Sequence, residues 1–274
     1  MVEVLRRADA QARNRDHLGF YHLDDGGRLR RVAGRRALEL EKAARVLPER
    51  GPLTPTDVEG IAERGRRERL EAMEFVRSNA RRFPHVTVGY MAICVLFFAL
   101  TAGADPRAKE LYLLLRNDPV GVSHGEVWRL LTYALLHDRH GLTHLLVNML
   151  SLYSLGSFLE PTLGRLRMVA LLAGSALSGG VASAFLTRAP SVGASGAVWG
   201  LVGAALAMLA RRHRIFPALI ARSLRRNFVV ILLLNVGISF LPGIDRYAHF
   251  GGGLAGYFIA VYFLRRPGLA KQKA

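Results

Sequence analysis

The chain has 274 residues, 51% of them hydrophobic, a formal net charge of +17 and a mean hydropathy of +0.20. That hydropathy is high for a soluble chain of this size. The charge distribution argues against nucleic acid as a partner: residues 1–83 hold 19 Lys and Arg against 14 Asp and Glu, whereas residues 84–274 hold 19 against 7. The basic excess therefore lies between apolar segments, where it orients membrane helices. With Cys94 as the single cysteine, no intramolecular disulfide forms. No apolar stretch in residues 1–80 reads as a cleavable signal peptide.

Residues 1–83 read as a small soluble domain, α or α+β, whose function the sequence does not reveal. Phe20–Leu23 and Arg28–Val32 flank Asp24-Asp25-Gly26-Gly27, a hairpin pattern. Arg36–Leu47 has helical spacing and stops before Pro48. Thr56 and Glu59 form a capping-box pattern for a charged helix from Asp57 to about Ala80. His17, His22 and Asp24 match no metal-site spacing and read as surface residues.

Six apolar segments follow: Val86–Ala102, Leu142–Leu159, Met168–Leu186, Ser195–Ala210, Phe228–Leu241 and Tyr247–Leu264. Several are shorter than the roughly 20 residues of a full span, so they must extend into their flanks or stop below the surface. One set of connections is charge-balanced or nearly uncharged: 103–141, 187–194 and 242–246. The other set carries Arg81-Arg82, Arg165 with Arg167, six arginines from Arg211 to Arg226, and Arg265-Arg266 with Lys271 and Lys273. This asymmetry places both termini inside.

With that topology, segments two, four and six run from outside to inside. His144 precedes Glu160, Ser195 precedes Arg211, and His249 precedes Arg265, each by 16 residues. Sixteen helical residues rise about 24 Å, so the three polar groups share a level just below the outer surface. Asn148 lies one turn below His144 on the same face. A lone histidine at such depth is more often a satisfied packing residue. Two histidines, an asparagine and a serine at one level instead define a wet cavity open to the outside.

The serine stands in Gly193-Ala194-Ser195-Gly196-Ala197-Val198-Trp199-Gly200, which opens segment four. Taken alone, the octet reads as a small-residue packing surface. Yet a serine beside the free N–H groups of a helix N-terminus also suits a nucleophile with an adjacent oxyanion site. Gly196 and Gly200 in segment four, and Gly252 and Gly256 in segment six, are two small-xxx-small pairs that let two helices pack closely. Such packing brings Ser195 within reach of His249, the minimum for acyl transfer. His144 and Asn148, with the backbone at Ala194–Ser195, can then donate to a developing oxyanion. Asp245 precedes His249 by four residues but falls in the outer loop, so a Ser-His dyad is expected rather than a triad.

These residues resemble the rhomboid family of intramembrane serine proteases. The matching pieces are Trp128-Arg129, His144-x-x-x-Asn148, Gly193-Ala194-Ser195-Gly196 and Ala248-His249 followed by Gly252-x-x-x-Gly256, in family order across residues 86–265. The resemblance implies an all-α six-helix bundle over 84–267, in its basic form without a seventh helix, with a tail at 268–274. The first loop, 103–141, would lie partly in the outer leaflet, with Trp128 and Arg129 helping to fix it. Ser195 would be nucleophile and His249 general base, with His144, Asn148 and the Ala194–Ser195 backbone binding the oxyanion. Trp199 falls where the family packs an aromatic ring against the catalytic histidine, although it reads equally well as core. The end of segment five and the following loop would form the substrate gate. Asp138–Gly141 is longer than the family pattern.

The expected protein is a multi-pass enzyme of a bacterial inner membrane with both termini cytoplasmic. It would cut single-pass membrane proteins near the outer end of their transmembrane helix, in contact with lipid and without metal or cofactor. Two other readings are a non-catalytic relative that binds membrane helices and a transporter using the same cavity. The first usually lacks the serine or histidine, and the second predicts polar residues continuing inward, where segments two, four and six offer few beyond Ser151 and Ser154.

Overall fold

The computed structural model describes residues 19–23, 29–34, 55–210 and 216–265. Expectations on the Asp24–Gly27 turn, the Arg36–Leu47 helix, His17, Arg211, Arg212, Arg214 and the tail after Arg265 lie outside these residues. The chain divides into two compact units, Met1–Met73 and Glu74–Ala274. The division falls inside a helix.

In the first unit, strands β1 (Gly19–Leu23) and β2 (Leu29–Gly34) pair antiparallel, with a register irregularity between Phe20 and Tyr21. Helix α1 runs from Pro55 to Ala80, so its last residues, from Glu74, belong to the second unit. It starts two residues before Asp57, with proline at its first position, where a missing N–H costs nothing. Thr56 therefore sits inside the first turn and not at the cap.

The second unit is helical. Helix α2 (His85–Thr101) is followed by three short helices, α3 (Pro106–Leu115), α4 (Pro119–Ser123) and α5 (Arg129–Thr132), and a 3-10 turn at Tyr133–Leu135. Five longer helices complete the unit: α6 (Leu142–Leu163), α7 (Arg165–Leu186), α8 (Ser195–Ala210), α9 (Ala218–Ile238) and α10 (Arg246–Leu264). The six apolar segments thus each form one helix. By length and composition α6 and α7 are long and apolar enough to cross a membrane, and α2 and α8 are shorter apolar helices. Helix α9 starts ten residues before Phe228 because the arginine-bearing stretch that begins at Ala218 is itself helical.

Helix α8 is the centre of the bundle. Thirteen of its sixteen residues are buried, as expected of a helix that is apolar all round. Leu201 and Met208 are fully buried, together with Leu152 and Leu159 of α6 and Met168 and Leu171 of α7. The outer faces stay apolar: Leu150 of α6, Phe185 of α7 and Leu254 of α10 are each more than half exposed. A soluble exterior avoids such a band, whereas lipid favours it.

Helix α10 packs on α8 more extensively than any other pair in the unit. The cause is glycine. A Cβ on Gly252 would collide with the Gly196 carbonyl oxygen, and one on Gly256 with the Gly200 carbonyl oxygen. The backbones touch, so no side chain fits between them.

Glu160, taken from sequence as an inner-end charge, is only 3% exposed and caps α2 from across the bundle. Its carboxylate accepts from the Val86 N–H at 2.9 Å, the Thr87 N–H at 2.8 Å and the Thr87 hydroxyl at 2.7 Å. A helix N-terminus favours a carboxylate and supplies unpaired donors, which makes the buried charge tolerable.

In the first loop, the Asp118 carboxylate accepts from the Val120 N–H and from the Arg116 guanidinium, both at 3.1 Å. Burial alone would raise its pKa, but the Arg116 and Val120 hydrogen bonds and the charges of Arg116 and Arg129 hold it below the ordinary value. A lowered carboxyl stabilises the fold at neutral pH and loses that contribution as pH falls through its folded-state value. Hydrogen exchange at the 117–123 amides should therefore quicken on acidification, and Asp118→Asn should remove that acid dependence. Gly256→Ala should cost about 1–3 kcal/mol through overpacking. Gly89→Ala, where a new Cβ meets nothing within 4 Å, should leave thermal stability nearly unchanged.

Candidate active site

The site starts from a strained glycine. Gly193 has φ +130°, a conformation that side-chain-bearing residues rarely adopt. A Cβ there would stand 2.8 Å from His144 Nε2 and 3.7 Å from Ser195 Oγ. The missing side chain thus leaves room for the imidazole beside the serine. Gly193 is held in turn: its N–H donates to the Tyr133 carbonyl at 3.0 Å. Tyr133 is buried, and its hydroxyl donates to the Ala176 carbonyl of α7 at 2.9 Å. Two backbone hydrogen bonds between Asn117 and Ser191, of 3.0 and 2.8 Å, tie the preceding turn to the first loop. Asn117 Nδ2 donates to the Gly180 carbonyl at 2.9 Å.

Ser195 is the first residue of α8 and is half-buried. Ala194 is fully buried, and its carbonyl accepts from the Val198 N–H at 3.0 Å. The next N–H groups open the helix, where no intrahelical acceptor precedes them.

His249 lies in the first turn of α10 and is 7% exposed. Its ring stacks on Trp199, with centroids 5.5 Å apart and planes 23° apart. Trp199 stands four residues after Ser195, on the same face of α8. A Cβ on Gly196 would meet the Ala248 carbonyl oxygen at 3.4 Å, so the residue after Ser195 abuts the residue before His249. The structure therefore brings Ser195, Trp199 and His249 to one face of the α8–α10 pair. Among the described residues no hydrogen bond joins Ser195 Oγ to His249.

His144 sits in the first turn of α6. The Asp138 N–H points at its Nδ1 from 3.4 Å, a long contact. Only a lone pair can receive that N–H, which leaves the ring proton on Nε2, the nitrogen beside Gly193. Asn148 is buried, and its Nδ2 donates to the His144 carbonyl at 2.9 Å, one turn back.

Trp128 and Arg129 stand in the first loop. Trp128 Nε1 donates to the Leu114 carbonyl at 3.2 Å. The Arg129 guanidinium donates to the Leu113 and Arg116 carbonyls at 2.6 and 3.0 Å and pairs with Glu126. Together they close the C-terminus of α3, where orphan carbonyls attract a cation. Gly252 and Gly256 contribute the close helix contact described above.

Among the described residues Asp245 makes no hydrogen bond to the His249 ring. Its Oδ1 accepts from the Tyr247 and Ala248 N–H groups at 3.1 and 3.0 Å, as an N-cap of α10. The group on His249 Nδ1 is instead the hydroxyl of Ser239, at 2.7 Å, from the end of α9. The sequence reading missed it, because one serine closing an apolar segment carries no signal of its own. It also missed His137, fully buried with its ring centroid 5.2 Å from that of His144.

A family model described as the Rhomboid domain matches residues 124–266. The chain is 40% identical over 149 residues to RHOMBOID-like protein 5 of Arabidopsis thaliana, covering 53% of this chain and 47% of that protein. It is 32% identical over 180 residues to Rhomboid protease GluP of Bacillus subtilis (strain 168), covering 65% of this chain and 34% of that protein. The Bacillus subtilis protein YdcA is 34% identical over 191 residues, 66% of this chain and 88% of that relative. The chain thus spans about half the length of the first relative and about a third of GluP. One relative carries "inactive" in its name. The chain belongs to the rhomboid family, whose members are multi-pass membrane proteins and generally intramembrane proteases.

Proposed function

We propose that this chain is an intramembrane serine endopeptidase with Ser195 as nucleophile and His249 as general base. The observation that carries the reading is Ser195 at the head of the buried helix α8, with His249 stacked over Trp199 on the same face and His144 Nε2 beside Gly193. His249 takes the Ser195 proton as Oγ attacks the scissile carbonyl. The Ser195 N–H, His144 Nε2–H and the Asn148 amide donate to the oxyanion, then His249 returns the proton to the leaving amine. Water releases the acyl group from Ser195 by the same route in reverse. No step calls for a metal or cofactor.

The six helices α2 and α6 to α10 are read as the membrane spans, with both termini cytoplasmic on the arginine asymmetry. The site then opens just below the outer surface of a bacterial inner membrane. A helical peptide bond is hydrogen-bonded and shielded, so substrates are single-pass proteins whose transmembrane helix unwinds near its outer end. Small or helix-breaking residues near the cut favour this.

Purified protein in proteoliposomes should cleave members of a panel of single-span proteins, with cut sites mapped by mass spectrometry. Ser195→Ala and His249→Ala should each abolish cleavage while the folded protein still accumulates. Asn148→Ala should lower the rate by roughly 10²–10³-fold if its amide serves the oxyanion. Full cleavage by purified Ser195→Ala protein would refute the assignment.

A further inference from the structure

Ser239 closes α9 and is 1% exposed. Its Oγ lies 2.8 Å from the Asn235 carbonyl oxygen and 2.7 Å from His249 Nδ1. A serine hydroxyl has one proton and two lone pairs, while a carbonyl oxygen only accepts. If the hydroxyl proton pointed at Nδ1, the hydroxyl and carbonyl oxygens would face each other at 2.8 Å with lone pairs opposed. Both contacts are attractive in a single arrangement. Ser239 donates to Asn235, and His249 Nδ1–H donates to Ser239. A neutral imidazole with its proton on Nδ1 has its lone pair on Nε2.

Among the described residues Ser239 is the hydrogen-bond partner of Nδ1, and the buried Asp245 Oδ2 makes no hydrogen bond to the ring. Trp199 presents its ring face to the imidazole, and Asp245 Oδ1 is engaged by backbone N–H groups. His144 Nδ1 faces the Asp138 N–H at 3.4 Å, an orientation that suits the opposite tautomer. One ring therefore presents a base and the other a donor.

We infer that Ser239 is a positioning residue for His249, fixing the Nδ1–H tautomer and so leaving Nε2 as the acceptor for the Ser195 proton. The role rests on the protease reading of Ser195 and His249. It also ties the base to the end of α9, a third helix beyond the glycine-packed pair.

The test uses the full chain and its Ser239→Ala and Ser239→Thr variants. Three quantities are read: cleavage kinetics in proteoliposomes, the rate of Ser195 labelling by a fluorophosphonate, and 15N spectra of histidine-labelled protein with His249→Gln assigning the signal. Ser239→Ala should lower kcat and the labelling rate by about 3–10-fold with KM unchanged, the loss of one hydrogen bond. Ser239→Thr, which keeps the hydroxyl, should restore most of the rate. The wild-type spectrum should show His249 protonated at Nδ1, and Ser239→Ala a mixture of tautomers. A wild-type His249 protonated at Nε2, or a Ser239→Ala protein that labels as fast as wild type, would overturn the role of Ser239. Absence of both cleavage and labelling in the wild type would instead count against the protease reading, and the spectrum still decides the tautomer.

Discussion

Backbone contact between α8 and α10 is the constraint on which the site depends. Gly196 and Gly200 on one helix meet Gly252 and Gly256 on the other so closely that a Cβ at either of the last two would strike a carbonyl. In lipid, where apolar burial gives no advantage to helix pairing, such contact relies on dispersion over a close fit. The fit also sets register. Ser195 lies one residue ahead of the first glycine of its pair, and His249 three ahead of the first of its own. Locking the glycine rows therefore brings a hydroxyl and an imidazole to one end of the helix pair. A larger residue at Gly252 or Gly256 would strike the α8 backbone and force the two helices apart, whereas one at Gly200 would strike Ser175 of α7 first.

Around that pair, the first loop is built to hold a strained turn. Gly193 has a φ that side-chain-bearing residues rarely adopt, and its N–H donates to the Tyr133 carbonyl. Tyr133 is pinned to α7, Ser191 to Asn117, and Asn117 to α7 again. Trp128 and Arg129 close α3 and stiffen the same loop. These hydrogen bonds hold Gly193 in the turn that leaves room for His144, which makes the loop the positioning device for the oxyanion donor in the proposed reaction.

Much of this was legible from residues alone. Six apolar runs gave six helices, because an unbroken greasy stretch has no other way to satisfy its backbone. Spacing was sufficient for the glycine rows, and the four-residue step from Ser195 to Trp199 put both on one face. What stayed hidden involved partners distant in sequence. Glu160 looked like an inner-surface charge, yet it is a buried cap for a helix 74 residues away. Thr56 matched a capping box, but the proline before it had already begun the helix. Asp245 was weighed as the partner of His249 because it was near in sequence. Ser239, ten residues away on another helix, holds that position, and no local pattern encodes a contact between two helices.

The account rests on Ser195 being made nucleophilic by His249. Mass spectrometry of the intact chain after fluorophosphonate treatment reads this directly, by locating the adduct in wild type and measuring its yield in His249→Ala. The account predicts a single phosphonyl group on Ser195 and little or none when His249 is replaced. An adduct on a different serine, or undiminished modification of Ser195 without the imidazole, would contradict it.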